Sequence, residues 1–175
     1  MAYLSKRAIQ EERTGNLHFF INSVEAIAQA IKKANLLPEQ VKIVCSNSGE
    51  SAIKNRQKLG EDYPIEKPSD PVKKINFYTS TAFEGCDIYD PQGRTYIVSD
   101  ASKSHTLVDI STLFVQICGR IRDSIYKSEI THIYSTTRYS EDLTLEEYTE
   151  RTRQTLNKAV KLADDINAVP DDSRE

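Results

Sequence analysis

Short apolar runs alternate along this chain with segments in which apolar residues recur every three or four positions. Each run is four or five residues long, contains β-branched side chains and, except for residues 41–45, aromatic ones, and is typical of a buried strand. The predicted strands are residues 17–21, 41–45, 75–78, 95–98 and 130–134. Strands that alternate with helices predict an α/β fold, in which a parallel sheet carries helices on both faces.

Three segments between these runs predict helices. The first begins after Asn22, because Asn22 and Glu25 have capping-box spacing and apolar residues continue at helical spacing to Ala34. Residues 52–59 predict a short helix, and residues 107–121 carry apolar side chains at helical spacing throughout. Three prolines and many charges make residues 61–74 a predicted surface loop.

The last part of the chain has a different pattern. Thr144 and Glu147 form a capping box, and a stripe of apolar and small residues three or four positions apart follows. The stripe consists of Leu145, Tyr148, Thr152, Leu156, Ala159, Ala163 and Ile166. It predicts one long amphipathic helix over residues 145–167, followed by a polar end. Such a helix either packs on its own domain or forms an arm that contacts a partner domain or subunit.

The charge of the chain is nearly balanced, since 23 basic and 26 acidic residues leave a net charge of −3. This balance excludes a globally basic nucleic-acid coat protein and a polyacidic tail protein, but it leaves a local basic site open. No apolar run approaches the roughly 18 residues needed to span a bilayer. The first ten residues lack the apolar segment of a secretory signal. We therefore expect a cytoplasmic protein with no membrane partner.

The cysteines and histidines do not form a recognisable site. The three cysteines are widely spaced and contain no CxxC pair, so a zinc ribbon or a thioredoxin-type redox pair is not expected. Reduced thiols are the expectation for a cytoplasmic protein. The three histidines have no His or carboxylate at metal-ligand spacing, and the sequence therefore predicts no metal site.

Polar loops follow three of the predicted strands, at residues 22–23, 46–48 and 79–81. In parallel sheets, ligands bind at the loops that leave the carboxyl ends of the strands. The third loop continues to Asp87 through Gly85, which allows a tight and exposed backbone. Hydroxyl and backbone N–H groups suit a phosphate, and a carboxylate could accept from a ribose hydroxyl or hold an arginine. The simpler interpretation is a turn without a function.

A second polar segment, residues 116–123, contains two arginines near a predicted helix end. If the helix ends near Gly119, both Arg120 and Arg122 can project toward one site, whereas on a regular helix they would diverge. The guanidinium group is a permanent, planar cation suited to phosphate oxygens. The alternative is a pair of solvated arginines that interact favourably with the dipole of the helix carboxyl end.

Taken in order, the two segments resemble motifs V and VI of superfamily 2 helicases. The Thr-x-x-x-x-x-Gly-x-Asp pattern of motif V is matched by Thr79, Gly85 and Asp87. The Gln-x-x-Gly-Arg-x-Arg pattern of motif VI is matched by Gln116, Gly119, Arg120 and Arg122. Residues 19–23 are similar to motif IV and residues 44–48 occupy the place of motif IVa, so the resemblance covers roughly residues 16–138. The form of motif VI is most similar to that of the herpesvirus origin-binding-protein branch.

The resemblance implies the second RecA-like lobe of a helicase or translocase. Its fold would be a three-layer, P-loop NTPase-like parallel sheet flanked by helices, here with a long C-terminal helix. In that family, ATP with Mg²⁺ binds between two lobes, and the first lobe supplies the Walker A loop and the DExx box. The implied partners are this first lobe of the same polypeptide and a single-stranded nucleic acid, DNA rather than RNA.

The resemblance also implies roles for individual residues. Arg120 would be the arginine finger, Arg122 its neighbour on the phosphates, and Gln116 would orient the nucleotide side of the cleft. The residues that would bind the nucleotide and couple its site to the nucleic acid are Gly85, Asp87 and Gly119. The residues that would contact the nucleic-acid backbone are Thr79, Ser80, Ser46 and Asn22.

The chain departs from the family pattern in ways that limit what it can do alone. Asp123 stands where many relatives have a further arginine. The sequence contains neither a GxxxxGK[ST] loop nor a DExx box, so we expect it to be inactive as an ATPase without a first lobe. The expected division is a linker from the missing first lobe at 1–15, a RecA-like domain at 16–140, and a C-terminal helix and tail at 141–175.

Two alternatives from other functional classes stay open. The first is a stand-alone α/β binding or interaction module without ATPase activity, which would oligomerise through the tail helix. The second is a small-molecule enzyme on a flavodoxin-like or Rossmann-like sheet, although the sequence lacks the GxGxxG fingerprint of dinucleotide binding.

Overall fold

The computed structural model of the chain describes residues 1–11, 15–83, 85–135 and 144–167. It contains two compact units, Met1–Thr136 and Thr137–Glu175. The division predicted after residue 140 falls among residues 136–143, which lie outside the described residues.

Five parallel strands form the main sheet of the first unit, and two short parallel strands form a second sheet. In chain order the strands are β1 (Leu17–Phe20), β2 (Val41–Val44), β3 (Ile75–Tyr78), β4 (Ile88–Tyr89), β5 (Arg94–Asp100), β6 (Ile121–Arg122) and β7 (Ile130–Ser135). The order in the main sheet is β2-β3-β1-β5-β7, and β4 pairs with β6. All five predicted strands are confirmed. The runs of β1, β2 and β3 are buried throughout, as apolar runs covered on both faces of a parallel sheet are, whereas the residues of the edge strand β7 are half-buried or exposed.

Two apolar cores lie on the two faces of the main sheet, since side chains alternate between the faces along each strand. Phe19, Ile43 and Phe77 belong to the first core, where helices pack against the sheet. Phe20 and Tyr78, one position further along their strands, belong to the second core. The fold is therefore α/β, with a parallel sheet flanked by helices.

Among the described residues of the first unit, four segments are α-helical: α1 (Ala2–Gln10), α2 (Val24–Ala34), α3 (Gly49–Leu59) and α4 (Leu113–Cys118). The residues expected to form a linker thus begin with a helix, and Ala8 of α1 is buried in the first core, to which Ile27 of α2 also belongs. The first ten residues are part of the packed unit. That they connect to another lobe stays a prediction.

The cap of α2 is one residue later than predicted. Ser23, not Asn22, is the N-cap, and its hydroxyl accepts a hydrogen bond from the Ala26 N–H at 3.3 Å. The Asn22 amide instead contacts Ser80 and His105. The Asn22 side chain, which the sequence pattern predicted to cap α2, therefore makes tertiary hydrogen bonds instead.

The helix predicted over residues 107–121 is wrong in extent, because only Leu113–Cys118 is α-helical. The Asp109 carboxylate accepts hydrogen bonds from the hydroxyls of Ser111 and Thr112, and such local bonds compete with helix formation. At the other end, Ile121 pairs with Ile88 in the small sheet. Among the apolar residues at helical spacing, Ile117 of α4 and Ile121 of β6 are buried, whereas Ile110 is exposed.

The predicted loop at 61–74 contains neither helix nor strand, and a buried lysine fixes it to the sheet. Lys42 on β2 is fully buried, and its Nζ donates to the carbonyl oxygens of Pro68, at 2.9 Å, and Asp70. Burial lowers the pKa of Lys42. The Glu66 N–H also donates to the Ile43 carbonyl at 2.8 Å, so this loop is attached to β2 at several points.

The second unit contains α5 (Leu145–Asn167), a helix of 23 residues. Its predicted bounds and capping box are confirmed: the Thr144 N–H donates to Glu147 Oε2 at 2.9 Å, and the Glu147 N–H donates to Thr144 Oγ1 at 3.3 Å. Leu145, Leu156 and Val160 are exposed on this helix.

Candidate functional site

The two segments that resemble motifs V and VI meet in the small β4–β6 sheet. The Ile88 N–H donates to the Arg120 carbonyl at 2.9 Å, and the Asp90 N–H donates to the Arg122 carbonyl at 3.4 Å. This pairing places Asp87, just before β4, beside the end of α4 and the start of β6. Residues that are more than 30 positions apart in sequence thus share one surface.

An ion pair joins the acidic residue of the first segment to an arginine of the second. Arg122 Nε lies 3.0 Å from Asp87 Oδ1, and both side chains are nearly half exposed. Water screens a pair of this kind, so its contribution to stability is small. Asp87 holds Arg122 in place through one nitrogen, and within the described part of the chain no other group binds the guanidinium.

Arg120 has a more enclosed position than Arg122. Its Nε donates to the Gln116 carbonyl at 3.1 Å, and its Nη1 donates to the Cys86 carbonyl at 3.2 Å. The side chain therefore satisfies a carbonyl at the carboxyl end of α4, a common role for arginine. It also ties α4 directly to the segment before Asp87.

The two glycines of the site have different structural needs. Gly85 has φ +72°, in the left-handed region that disfavours other residues, and it is exposed. Gly119 has φ −88°, and a Cβ there would meet nothing closer than the Gln116 carbonyl oxygen at 3.7 Å. The fold therefore explains a glycine at 85 but not at 119. The Gln116 side chain is exposed, and its contacts in the site are made by its backbone carbonyl.

The hydroxyl residues after β3 divide into buried and exposed members. Thr79 is buried; its N–H and its hydroxyl both reach the Val44 carbonyl, at 2.9 and 3.4 Å. Ser80 and Thr81 are exposed. Two of the predicted nucleic-acid contacts lie in this loop. Thr79 forms hydrogen bonds that join β3 to β2, whereas Ser80 is exposed to solvent.

Asn22 connects three loops at the carboxyl edge of the sheet. Its Nδ2 donates to the His105 carbonyl at 2.9 Å, and its Oδ1 accepts from the Ser80 N–H at 3.4 Å. The structure therefore brings Asn22 and Ser80 together, and their role as nucleic-acid contacts stays a prediction. Ser46 is half-exposed after β2, and its carbonyl accepts from Asn55 at 2.9 Å; in the described residues no hydrogen bond links it to Asn22 or Ser80.

A buried polar cluster behind the site was not anticipated from the sequence. His18 on β1 is completely buried, with Nε2 at 2.8 Å from Asp90 Oδ2 and Nδ1 at 3.2 Å from the Tyr78 hydroxyl. The residues from Asp90 to Gly93 form a turn, in which the Gly93 N–H donates to the Asp90 carbonyl at 3.1 Å. The sequence Asp-Pro-x-Gly is typical of a turn, and from this motif the turn that holds Asp90 could have been predicted.

Burial and hydrogen bonding fix the charge states in this cluster. Burial lowers the pKa of His18, so the ring is neutral, and its Nε2–H donates to Asp90. Burial alone would raise the pKa of Asp90, but the hydrogen bonds from His18, Asn16 and the Gln92 N–H outweigh it, and the pKa lies below its usual value. Asp90 is therefore a buried carboxylate with three donors.

The remaining predicted features concern metals, thiols and membranes. Among the described residues, no three His, Cys, Asp or Glu side chains cluster as metal ligands would. The three cysteines are free thiols, and burial raises the pKa of Cys45 to about 11. Within the same part of the chain, none of the helices is both long enough and apolar enough to cross a membrane.

Comparison of the sequence with protein-family models and with curated proteins gives no match.

Proposed function

We propose that this chain is the second RecA-like lobe of an ATP-dependent nucleic-acid helicase or translocase. The observation that carries the proposal is the ion pair between Asp87, which immediately precedes β4, and Arg122 of the paired strand β6. The sequence resemblance singled out the two segments separately, and a random pair of polar loops has no reason to meet. The RecA-like assignment is compatible with the parallel sheet and its flanking helices.

The arginines would act on the phosphates of ATP. Phosphoryl transfer spreads negative charge over the transferred group, and a fixed cation beside it stabilises that charge. Arg122 keeps most of its N–H donors while Asp87 fixes its position. Arg120 stays the proposed finger, and it would exchange its carbonyl partners for phosphate oxygens when the lobes close. Mg²⁺ would enter with ATP and be held by the first lobe, together with the P-loop.

The nucleic-acid surface would be the carboxyl edge of the main sheet. Ser80 offers an exposed hydroxyl and Thr81 a second one, and neither reads base identity, which suits contact with a single-strand backbone. Asn22 would act as a brace for this loop, since its amide already holds Ser80 and His105. Single-stranded DNA is the proposed partner.

The test uses a polypeptide that joins a first lobe with a P-loop and a DExx box to this chain. DNA-stimulated ATP hydrolysis should fall by about 10³-fold or more in Arg120→Ala or Arg122→Ala, the loss that removal of an arginine finger produces. The larger loss identifies the finger. Arg153→Ala, an exposed arginine paired with Glu150 on α5, is the control and should leave the rate unchanged. Parental rates in both site variants would refute the proposal.

The second candidate is a stand-alone α/β binding module that associates through α5. It is favoured by the exposure of Leu145, Leu156 and Val160, which are 79%, 59% and 53% exposed. This candidate requires a stable dimer, measured by light scattering, that dissociates when residues 141–175 are removed. A monomer at micromolar concentration would refute it, while leaving the ATPase test unaffected.

A further inference from the structure

The small β4–β6 sheet lies beside the Asp87–Arg122 pair and is too short to be stable without contacts to the rest of the unit. Each strand has two residues, and isolated two-stranded sheets are marginal even when they are longer. The side chains of Ile88 and Ile121 are buried in the second core. Apolar contacts of this kind are not directional. They keep the small sheet packed against the second core, but they do not fix its orientation relative to the main sheet.

Directional contacts come from Asp90, the residue that follows β4. Its Oδ2 accepts from His18 Nε2 and from Asn16 Nδ2, both at 2.8 Å, and its Oδ1 accepts from the Gln92 N–H at 3.0 Å. His18 is itself fixed, because its ring stacks on Tyr78 of β3 and its Nδ1 meets the Tyr78 hydroxyl. The end of β4 is thus attached to two central strands of the main sheet.

The end of β6 is attached at the same place. Ser124, two residues beyond β6, is buried, and its hydroxyl donates to the Gly93 carbonyl at 2.7 Å. Gly93 lies directly against the cluster, since a Cβ there would be 2.9 Å from His18 Nε2 and 3.1 Å from Asp90 Cβ. Both strands of the small sheet therefore end on the same buried cluster.

We infer that His18, Asp90 and Asn16 are positioning residues that align Asp87 and Arg122 for phosphate binding. Asp87 lies three residues before Asp90, and the Asp90 N–H is bonded to the Arg122 carbonyl, so a shift of Asp90 moves both members of the pair. Displacement of a catalytic group by about 1 Å can cost about 100-fold in rate. The catalytic meaning of this inference rests on the proposed function, whereas the alignment itself does not.

The alignment can be measured without nucleotide, in the full chain, from the side-chain Nε–H signal of Arg122 in nitrogen-15 NMR spectra. Arg122→Lys assigns the signal, and Asp87→Asn gives its position when the ion pair is absent. In Asp90→Asn the signal should move toward the Asp87→Asn position, and its exchange with water should rise about three- to tenfold, the range for loss of one hydrogen bond. Asp100→Asn is the control, because Asp100 also accepts several hydrogen bonds but at the end of β5.

An unchanged Arg122 signal in a folded Asp90→Asn protein would overturn the inference, and folding is checked by circular dichroism. If Asp90→Asn does not fold, Asn16→Ala removes one of the three donors and should produce a smaller shift in the same direction. No shift in that variant would equally overturn the inference. Since nothing in this measurement depends on ATP, its failure is distinguishable from failure of the ATPase test.

Discussion

At the scale of single residues, two glycines show how differently the fold uses the same residue. Gly93 has no room for a side chain, because a Cβ would lie 2.9 Å from His18 Nε2 and 3.0 Å from Ile121 Cγ2. We expect Gly93→Ala to lower the free energy of unfolding by about 1–3 kcal/mol, the usual cost of overpacking. Urea unfolding measures this change.

Gly119→Ala is the matched control, since a Cβ there meets only the Gln116 carbonyl oxygen, at ordinary contact distance. Its stability should equal that of the parent, and equal losses in the two variants would contradict the packing described for Gly93. Because the fold tolerates alanine at 119, loss of ATP hydrolysis in Gly119→Ala of the two-lobe protein would indicate that a ligand approaches this backbone.

The buried His18 should make stability depend on pH. Burial lowers its pKa in the folded state, whereas in the unfolded chain it titrates near its ordinary value of about 6.5. Below about pH 6.5 the unfolded state therefore binds more protons, and stability falls as the pH falls toward the folded-state pKa. The maximum slope for one proton is about 1.4 kcal/mol per pH unit.

Urea unfolding between pH 7.5 and 5 tests this expectation. His18→Gln should be less stable at pH 7.5 but should show a flatter pH dependence than the parent. Burial also lowers the pKa of His132, so His132→Gln serves as the comparison for a less enclosed ring. A parental slope in His18→Gln would show that His18 does not titrate as inferred. The lowered pKa of Asp90 adds a second loss of stability below about pH 4.

At the scale of elements, Lys42 of β2 provides two of the contacts that fix the long loop at 61–74 to the sheet. Lys42→Met removes the donor to the carbonyls of Pro68 and Asp70 while keeping the apolar stem. We expect local opening of the loop, with hydrogen exchange at the Glu66 and Asp70 amides about three- to tenfold faster.

Lys54→Met is the control for this prediction, because Lys54 is exposed and forms an ion pair with Glu50 on the surface of α3. Loop exchange in that variant should match the parent. If Lys42→Met left the Glu66 and Asp70 amides equally protected, the loop would be held by its other contacts, such as the Glu66 N–H to Ile43 carbonyl bond.

Elements built from local signals were predicted well, and those that depend on distant partners were not. The strands at 41–44 and 75–78 and the helix at 145–167 are visible in sequence, because their apolar patterns and the Thr144 cap are local. The helix predicted over 107–121 covers only Leu113–Cys118, since the Asp109 turn and the pairing of Ile121 with β4 compete with helix formation.

At the scale of the whole molecule, the net charge of −3 bears on nucleic-acid binding. We expect the full chain to bind a labelled oligothymidylate weakly, with affinity that falls steeply with salt and is lost by a few hundred millimolar. Ser80→Glu should weaken binding by about fivefold, since one added charge at 4 Å in water opposes the phosphate by about 1 kcal/mol. Fluorescence anisotropy at several salt concentrations measures both effects.

The control is Ser128→Glu, which adds the same charge to an exposed residue just before β7, at the opposite, amino edge of the parallel sheet. Equal weakening in the two variants would indicate only a general charge effect. Tight binding that is indifferent to salt would contradict a surface built from backbone contacts.

The sequence by itself determined the fold class, the five strands of the main sheet, the α5 helix and the two segments that carry the helicase resemblance. These features depend on local periodicity, caps and spacing, which the sequence displays directly. Only the tertiary structure decided that Asp87 pairs with Arg122, that Thr79 is buried while Ser80 is exposed, and that His18 and Asp90 lie behind the site. Those outcomes depend on which strands become neighbours, and strand order follows from long-range packing that no local pattern contains.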